Sequence, residues 1–127
     1  MNVLMLTLVL CAEPVVHLGE APRYALAGDA GVVTLLVQAD IATSRLELNA
    51  GTRVPEHTHD SSETLVVLEG SGTVTLDGAK YAVTSGDTIH IPKGARHAAE
   101  ATTRFVAVQN YAPAGPEQRF TRGTRLK

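Results

Sequence analysis

Cysteine and tryptophan are almost missing from this chain of 127 residues. Cys11 is its single cysteine, so an internal disulfide, an iron–sulfur cluster and a zinc site built from thiolates are excluded. Any bound metal must therefore be held by nitrogen and oxygen atoms. The sequence has no tryptophan and contains only three tyrosines and two phenylalanines. A stacking platform for sugar rings is not expected with so few aromatic residues.

An excess of charge of either sign is also lacking. Eleven basic and thirteen acidic residues give a formal net charge of -2, so no overall field attracts nucleic acid or an anionic membrane, and neither is expected as a partner. Hydrophobic residues make up 44% and charged residues 19% of the chain, which is typical of a soluble globular protein. A chain of this length is expected to form one domain with a substantial core.

The N-terminal segment, residues 1–30, allows two interpretations. Its apolar run over residues 3–11 is too short to span a bilayer. The run has the length of the apolar region of a secretory signal, which cleavage after Ala12 would remove, leaving a periplasmic or secreted protein. However, no Lys or Arg precedes the run, and Leu10 stands where a small residue would precede a lipidated Cys11. We therefore favour a retained, buried strand in a cytoplasmic protein and keep the signal as the alternative.

Short apolar runs separated by turn residues follow this segment. "GVVTLLVQA" (31–39) is nearly continuous and predicts a strand buried on both faces, whereas "IATSRLELN" (41–49) alternates. "GTVTLDGAKYAVT" predicts a hairpin, because Asp77-Gly78 favours a two-residue primed turn. No stretch has helical periodicity, so we expect an all-β fold, most economically an antiparallel jelly-roll β-barrel over residues 31–112.

Residues 113–127 are expected to form a solvated C-terminal extension. The segment begins with turn-forming residues and ends with a cationic stretch. Four charges give little specificity for nucleic acid, so we expect surface exposure of Arg119, Arg122, Arg125 and Lys127.

Two histidines stand one residue apart in the stretch "GTRVPEHTHDSSETLVVLEG" (51–70). In an extended strand alternate side chains share a face, so His57 and His59 should point to the same side. Glu63 follows the short turn "DSS" and begins the next apolar run, so the chain can fold back and bring its carboxylate to the two imidazoles. A Pro-x-Gly turn in "IPKGARH" precedes a returning strand that begins at His97. These four side chains can therefore meet at one site.

The spacing of these residues resembles the two sequence motifs of the cupin superfamily. The first motif is matched by five positions separated by five, one, three and six residues, namely Gly51, His57, His59, Glu63 and Gly70. After fifteen intervening residues the second motif is matched by Gly86, Pro92, Gly94 and His97. One position differs, because Ala101 stands where the second motif often ends in Asn. That position is not a ligand in the family pattern, so packing or substrate contacts are affected rather than metal binding.

The resemblance implies a fold, an assembly and a cofactor. It covers about residues 31–112 and implies a small, single-domain antiparallel β-barrel that is usually a homodimer. It also implies a divalent transition metal bound inside the barrel by His57, His59, Glu63 and His97. Three imidazoles and one carboxylate suit Mn, Fe, Ni, Co or Zn. An octahedral ion held by four such ligands keeps two open positions, at which a bidentate substrate, water or dioxygen can bind.

Three further residues are weaker candidates for the site. His90 is the candidate catalytic acid or base, although a histidine packed at the rim of the barrel is the simpler interpretation. Arg53 either holds an anionic substrate at the mouth of the pocket or is a solvated strand charge. Gln109 is a candidate for the substrate-binding wall. Four small or aliphatic residues that share faces with Glu63 and His97 predict a narrow pocket without charge or stacking surface: Leu65, Val67, Ala99 and Ala101.

These features favour a metalloenzyme that acts on a small chelating organic molecule by oxidation, lyase or isomerisation chemistry. The alternative is a non-catalytic module that binds or senses a small molecule through its metal. A third interpretation is a structural protein with an empty barrel, because one framework of this kind supports many activities.

Overall fold

The computed structural model describes residues 14–127 and consists of two packed antiparallel sheets. The strands are β1 (Arg23–Ala25), β2 (Gly31–Gln38), β3 (Ala42–Leu48), β4 (Arg53–His57), β5 (Ser62–Glu69), β6 (Ser71–Leu76), β7 (Ala79–Thr84), β8 (Thr88–Ile91), β9 (His97–Ala101), β10 (Phe105–Ala112) and β11 (Arg125–Leu126). One sheet has seven strands in the order β11-β1-β2-β3-β10-β5-β8, and the other has four in the order β4-β9-β6-β7. Short 3-10 helices occupy Leu18–Glu20, Ala27–Asp29 and Pro116–Arg122.

The predicted hairpin is present between β6 and β7. Leu76 pairs with Ala79 across a two-residue turn. Asp77 and Gly78 at the turn have φ angles of 46° and 86°, and a primed turn requires positive φ at both positions. The Asp-Gly pair therefore fixes the register of the four-stranded sheet locally.

Side chains from both sheets form one apolar core that becomes polar at one end. Strand β5 buries alternate residues, Glu63, Leu65 and Val67, as a strand with one face on the core should. In β10, which pairs with β5 on one side and β3 on the other, Gln109 is buried on the core side. The same alternation that buries the apolar residues therefore carries a carboxylate and an amide into the interior, next to buried His97.

The C-terminal segment differs from the solvated extension that the sequence suggested. Glu117 is buried, Phe120 packs against the apolar core, and β11 pairs with β1. The expectation of surface exposure holds for Arg119, Arg122, Arg125 and Lys127. It fails around Phe120 because burying this aromatic ring against the core is favourable, and the 3-10 helix folds back over the sandwich to do so.

Residues 1–13 lie outside the described part of the chain. The apolar run over residues 3–11, for which we predicted a retained strand or a signal, falls among them. Within residues 14–127, no helix is long and apolar enough to cross a membrane.

Candidate metal centre

Three imidazole rings meet between the two sheets. His57 ends β4 and His97 begins β9, and the two residues are paired directly in the strand register. His59 follows β4, and its carbonyl accepts a hydrogen bond of 3.0 Å from the Gly94 N–H in the turn before β9. Gly94 has a φ of 78°, which side chains with a Cβ rarely adopt. The second motif thus holds the backbone of the first, and the ring centroids of His57, His59 and His97 lie between 4.1 and 5.9 Å apart.

Each imidazole is oriented by a backbone carbonyl two residues away. The Nδ1 atoms of His57, His59 and His97 lie 2.9 Å from the carbonyl oxygens of Pro55, Ser61 and Ala95, respectively. A carbonyl only accepts, so each Nδ1 carries the hydrogen and each Nε2 keeps its lone pair when the ring is neutral. Metal-binding histidines are commonly oriented through such a hydrogen bond.

The Nε2 atoms have unused bonding capacity. Those of His57 and His97 are buried, and neither has a hydrogen-bond partner within residues 14–127. Buried nitrogen atoms without a partner cost free energy, so each calls for an explanation such as an ion. The ligand nitrogens of His57, His59 and His97 all lie within 4.8 Å of one another, close enough to hold one metal ion. The residues therefore fit a bound metal.

Glu63 brings a carboxylate to the histidines from the opposite sheet. Its Oε2 accepts a hydrogen bond of 2.7 Å from His59 Nε2 in the form where that nitrogen is protonated, and it lies 3.3 Å from His97 Nε2. Its Oε1 accepts a hydrogen bond of 2.7 Å from Gln109 Nε2. Ser44 Oγ donates to Gln109 Oε1 over 3.2 Å and so fixes which end of the amide faces the carboxylate. The structure thus brings together all four residues that the sequence suggested as ligands.

The charges of the site follow from this packing. Burial raises the pKa of Glu63, but the nearby His97 imidazole and the hydrogen bonds from Gln109 and His59 outweigh it and hold the pKa below its usual value. Burial lowers the pKa of His97, yet the Glu63 carboxylate and the Ala95 carbonyl outweigh it, so the net pKa is raised. For His57 burial dominates and lowers the pKa. The site therefore favours an ionised Glu63 carboxylate, a protonated His97 imidazole and a neutral His57 imidazole.

A cavity of about 240 Å³ opens next to the histidines. It is smaller than the roughly 300–1,000 Å³ typical of pockets for drug-sized ligands. His57, His97 and Glu63 line it together with apolar side chains that include Leu65, Ala99 and Ala101, as the strand alternation predicted. Val67 is buried but is not part of the lining. The site is thus open to a small molecule.

The three weaker candidates occupy different places. Gln109 lines the cavity, but its amide nitrogen holds Glu63. Arg53 also lines it, at the exposed rim, where it pairs with Glu100 over 3.5 Å. His90 is exposed, lies 2.9 Å from the Ser62 hydroxyl and does not line the cavity, because in β8 the neighbouring Ile91 faces the core instead. The structure does not bring His90 to the metal cluster.

The sequence reasoning did not place Arg119 or Phe120 at the site. Arg119 and Phe120 line the cavity from the C-terminal 3-10 helix, so the pocket has a cation and an aromatic face after all. The expectation of a pocket without charge or stacking surface is therefore wrong. An apolar Phe next to Arg119 in an otherwise polar tail was the available signal.

The site and fold define the class of protein. Residues 44–108 match the family model of the cupin domain, which is slightly more than half of the chain. The protein belongs to the cupin superfamily, and the resemblance seen in the motifs is confirmed. An RmlC-like cupin from Shewanella frigidimarina superposes with a TM-score of 0.76 at 20% identity, over 84% of this chain and 96% of the other. This likeness confirms the predicted jelly roll.

Two relatives whose names state an activity match about half of the chain. Quercetin 2,3-dioxygenase of Bacillus subtilis is 35% identical over 66 residues, which are 51% of this chain and 20% of the relative. Dimethylsulfoniopropionate lyase of Ruegeria pomeroyi is 34% identical over 58 residues, which are 46% of this chain and 38% of the relative. The chain spans no more than half the length of the curated relatives it matches.

Proposed function

We propose that this cupin is a metal-dependent enzyme that acts on a small chelating organic molecule. A divalent transition metal is held by Nε2 of His57, His59 and His97 and by the carboxylate of Glu63. The observation that carries this proposal is the pair of buried Nε2 atoms without a partner, facing the same space as an ionised carboxylate. A histidine that serves only to pack in the core would have a hydrogen-bond partner for each buried ring nitrogen.

The bound metal supplies Lewis-acid activation and, for a redox-active ion, electrons. The chain's own residues prepare the site for this chemistry. The backbone carbonyls of Pro55, Ser61 and Ala95 hold the imidazoles, and Gln109 holds the carboxylate. The apolar lining excludes bulk water from the substrate and strengthens the electrostatic interactions inside.

The reaction is an oxidation, an elimination of the lyase type or an isomerisation. The dioxygenase and lyase activities named for the two relatives support this range. The small cavity supports a substrate smaller than a typical drug-sized ligand. The set of nitrogen and oxygen donors limits the metal to Mn, Fe, Ni, Co or Zn.

A non-catalytic module that binds a small molecule through its metal is the second candidate. One observation favours it: the cavity offers few groups for proton transfer beyond the proposed ligands. Within residues 14–127, Glu100 is the one carboxylate besides Glu63 that lines the cavity, and it is paired with Arg53 at the rim. A general acid or base must lie within hydrogen-bond reach of its substrate, and His90 lies elsewhere.

Metal analysis combined with a substrate screen tests the proposal. The protein is purified without a chelating tag and its metal content measured, then it is loaded separately with Mn, Fe(II), Ni, Co or Zn. Keto acids, hydroxy acids and diketones are incubated with each form, with and without oxygen, and products are detected by mass spectrometry. We expect turnover with one metal, lost in His97→Ala and retained in His17→Ala, which removes an exposed imidazole. Binding without product throughout would favour the non-catalytic module, and absence of metal binding would contradict both.

A further inference from the structure

Arg119 stands out among the cations near the cavity because its charge is not neutralised. Arg53, the other arginine in the lining, pairs with Glu100. In the part of the chain that the structure describes, Arg119 forms no ion pair with a carboxylate. Its guanidinium donates instead to the Tyr111 hydroxyl over 3.2 Å and lies 4.8 Å from the centre of the Phe120 ring. It is exposed and also lines the cavity, which places it at the mouth.

The contacts of Arg119 fix its orientation while leaving donors free. A guanidinium has five N–H groups in a planar fork, and one bond to Tyr111 leaves the others available. Contact with an aromatic ring restricts the plane of the fork. Glu117, the nearest acidic residue in sequence, uses its carboxylate to accept hydrogen bonds from the Gly115 N–H and the Gln118 side chain. An ordered, unpaired fork of this kind is suited to bind an anion.

Tyr111 connects this cation to the histidine cluster. Its buried ring packs edge-on against His59 with centroids 5.1 Å apart, while its hydroxyl contacts Arg119. The guanidinium therefore lies about the length of one aromatic side chain from the cluster.

We propose that Arg119 and Phe120 form an anion subsite that selects small ligands bearing one carboxylate. The planar fork matches a carboxylate with two parallel hydrogen bonds, and a single unpaired cation matches a single negative charge. The rest of such a ligand lies in the apolar cavity. Both residues lie outside the residues 44–108 that match the cupin domain, so the subsite is a property of this chain's C-terminal segment. Binding of the carboxylate at this subsite does not depend on the function proposed above. Simultaneous chelation of the metal by the same ligand does rest on that proposed function.

The first experiment uses metal-free protein, so it does not depend on the metal. NMR spectra that include the arginine side-chain N–H signals are recorded during titration with butyrate or with butyramide, its uncharged analogue. We expect butyrate to shift the Arg119 and Phe120 signals saturably and butyramide to leave them unchanged. Arg119→Gln should abolish the saturable response of Phe120. Arg122→Gln, in the same 3-10 helix but outside the cavity lining, should retain it.

The second experiment uses cobalt(II)-loaded protein and two probes that share one chelating head. One is the monohydroxamic acid of succinic acid, and the other carries a terminal carboxamide instead of the carboxylate. We expect the carboxylate probe to bind at least about tenfold more tightly, as expected for a hydrogen bond between charged groups. This preference should fall to within about twofold in Arg119→Gln, at unchanged metal content, and persist in Arg122→Gln.

The outcomes separate the subsite from the metal function. A butyrate response at Arg119 in protein that binds no metal supports the subsite and contradicts the proposed function. Normal metal and hydroxamate binding with no effect of Arg119→Gln overturns the subsite and leaves the proposed function standing. The subsite is also overturned if neither form of the protein prefers the carboxylate, or if Arg122→Gln has as large an effect as Arg119→Gln.

Discussion

Replacing Gln109 by leucine should weaken metal binding without removing any ligand. The Gln109 amide is 4% exposed and donates over 2.7 Å to Glu63, which is 2% exposed. Leucine fills a similar volume but cannot donate, so one oxygen of a buried carboxylate is left without a partner. A hydrogen bond to a charged group contributes about 1.5–3 kcal/mol. Because Glu63 is then free to rotate away from the histidines, we expect the metal dissociation constant to rise roughly 10- to 100-fold.

Stability should respond to the same substitution in a way that depends on pH. The pKa of Glu63 is lowered in the folded protein, so its contribution to stability is present above the unfolded-state value of 4.5 and is lost as the pH falls through the folded-state pKa. Gln109→Leu removes one of the hydrogen bonds that lower this pKa. The loss in free energy of unfolding should therefore be largest near neutral pH and smaller in acid, where the carboxyl group is protonated in both proteins.

A neighbouring residue supplies the matched control. Asn110 accepts a hydrogen bond of 2.8 Å from Thr43 Oγ1, which joins the same two strands as the bond between Ser44 and Gln109 but lies on their other face. Asn110→Leu thus removes a similar bond without touching Glu63. Metal affinity is measured by competition with a chelator and stability by urea unfolding of the metal-free proteins. If the two variants bind metal within about twofold of each other, the positioning role of Gln109 is refuted.

Three further predictions concern the metal and the assembly. His59→Ala should lower metal occupancy at least about tenfold in elemental analysis, whereas equal occupancy in His59→Ala and His17→Ala would count against the site. Occupancy should also fall as the pH drops, because imidazoles must be neutral to bind metal. The raised pKa of His97 means that this ligand is protonated at a higher pH than an ordinary imidazole, so constant occupancy from about pH 8 to about pH 5 would contradict the prediction. Light scattering should give twice the chain mass of 13.4 kDa for the expected homodimer, and a mass near 13.4 kDa would reject it.

The parts of the site that sequence could predict are those set by local chain geometry. His57 and His59 are two residues apart, and Glu63 lies one turn further on. The tight turn at Gly94, with its positive φ, delivers His97 to the same place. The relations among His57, His59 and Glu63 span only a few residues, so the spacing along the chain carries the information. His97 meets them through the pairing of β4 with β9, and it was found because its own turn matches the second motif.

The remaining parts depend on contacts between distant segments. Gln109 reaches Glu63 because β10 lies between β3 and β5 in a particular register, and no local pattern encodes that register. Arg119 reaches the cavity because the C-terminal helix folds back over the core, which a count of charges in the tail did not indicate. The outward direction of His90 is likewise set by its pairing with Thr64 across β8 and β5.

The hydrogen bonds from the three imidazoles to backbone carbonyls bear on how this site can change during evolution. Many metal centres depend on outer carboxylate side chains, and a single substitution can remove such a partner. Here the acceptors are main-chain oxygens at positions 55, 61 and 95, which persist whatever residue occupies those positions, provided the backbone keeps its path. Drift in the surrounding side chains can therefore alter the shape and charge of the cavity while the direction of the ligand nitrogens stays constant. New ligand preferences can then arise through distant segments such as the C-terminal helix, without any change to the proposed metal site.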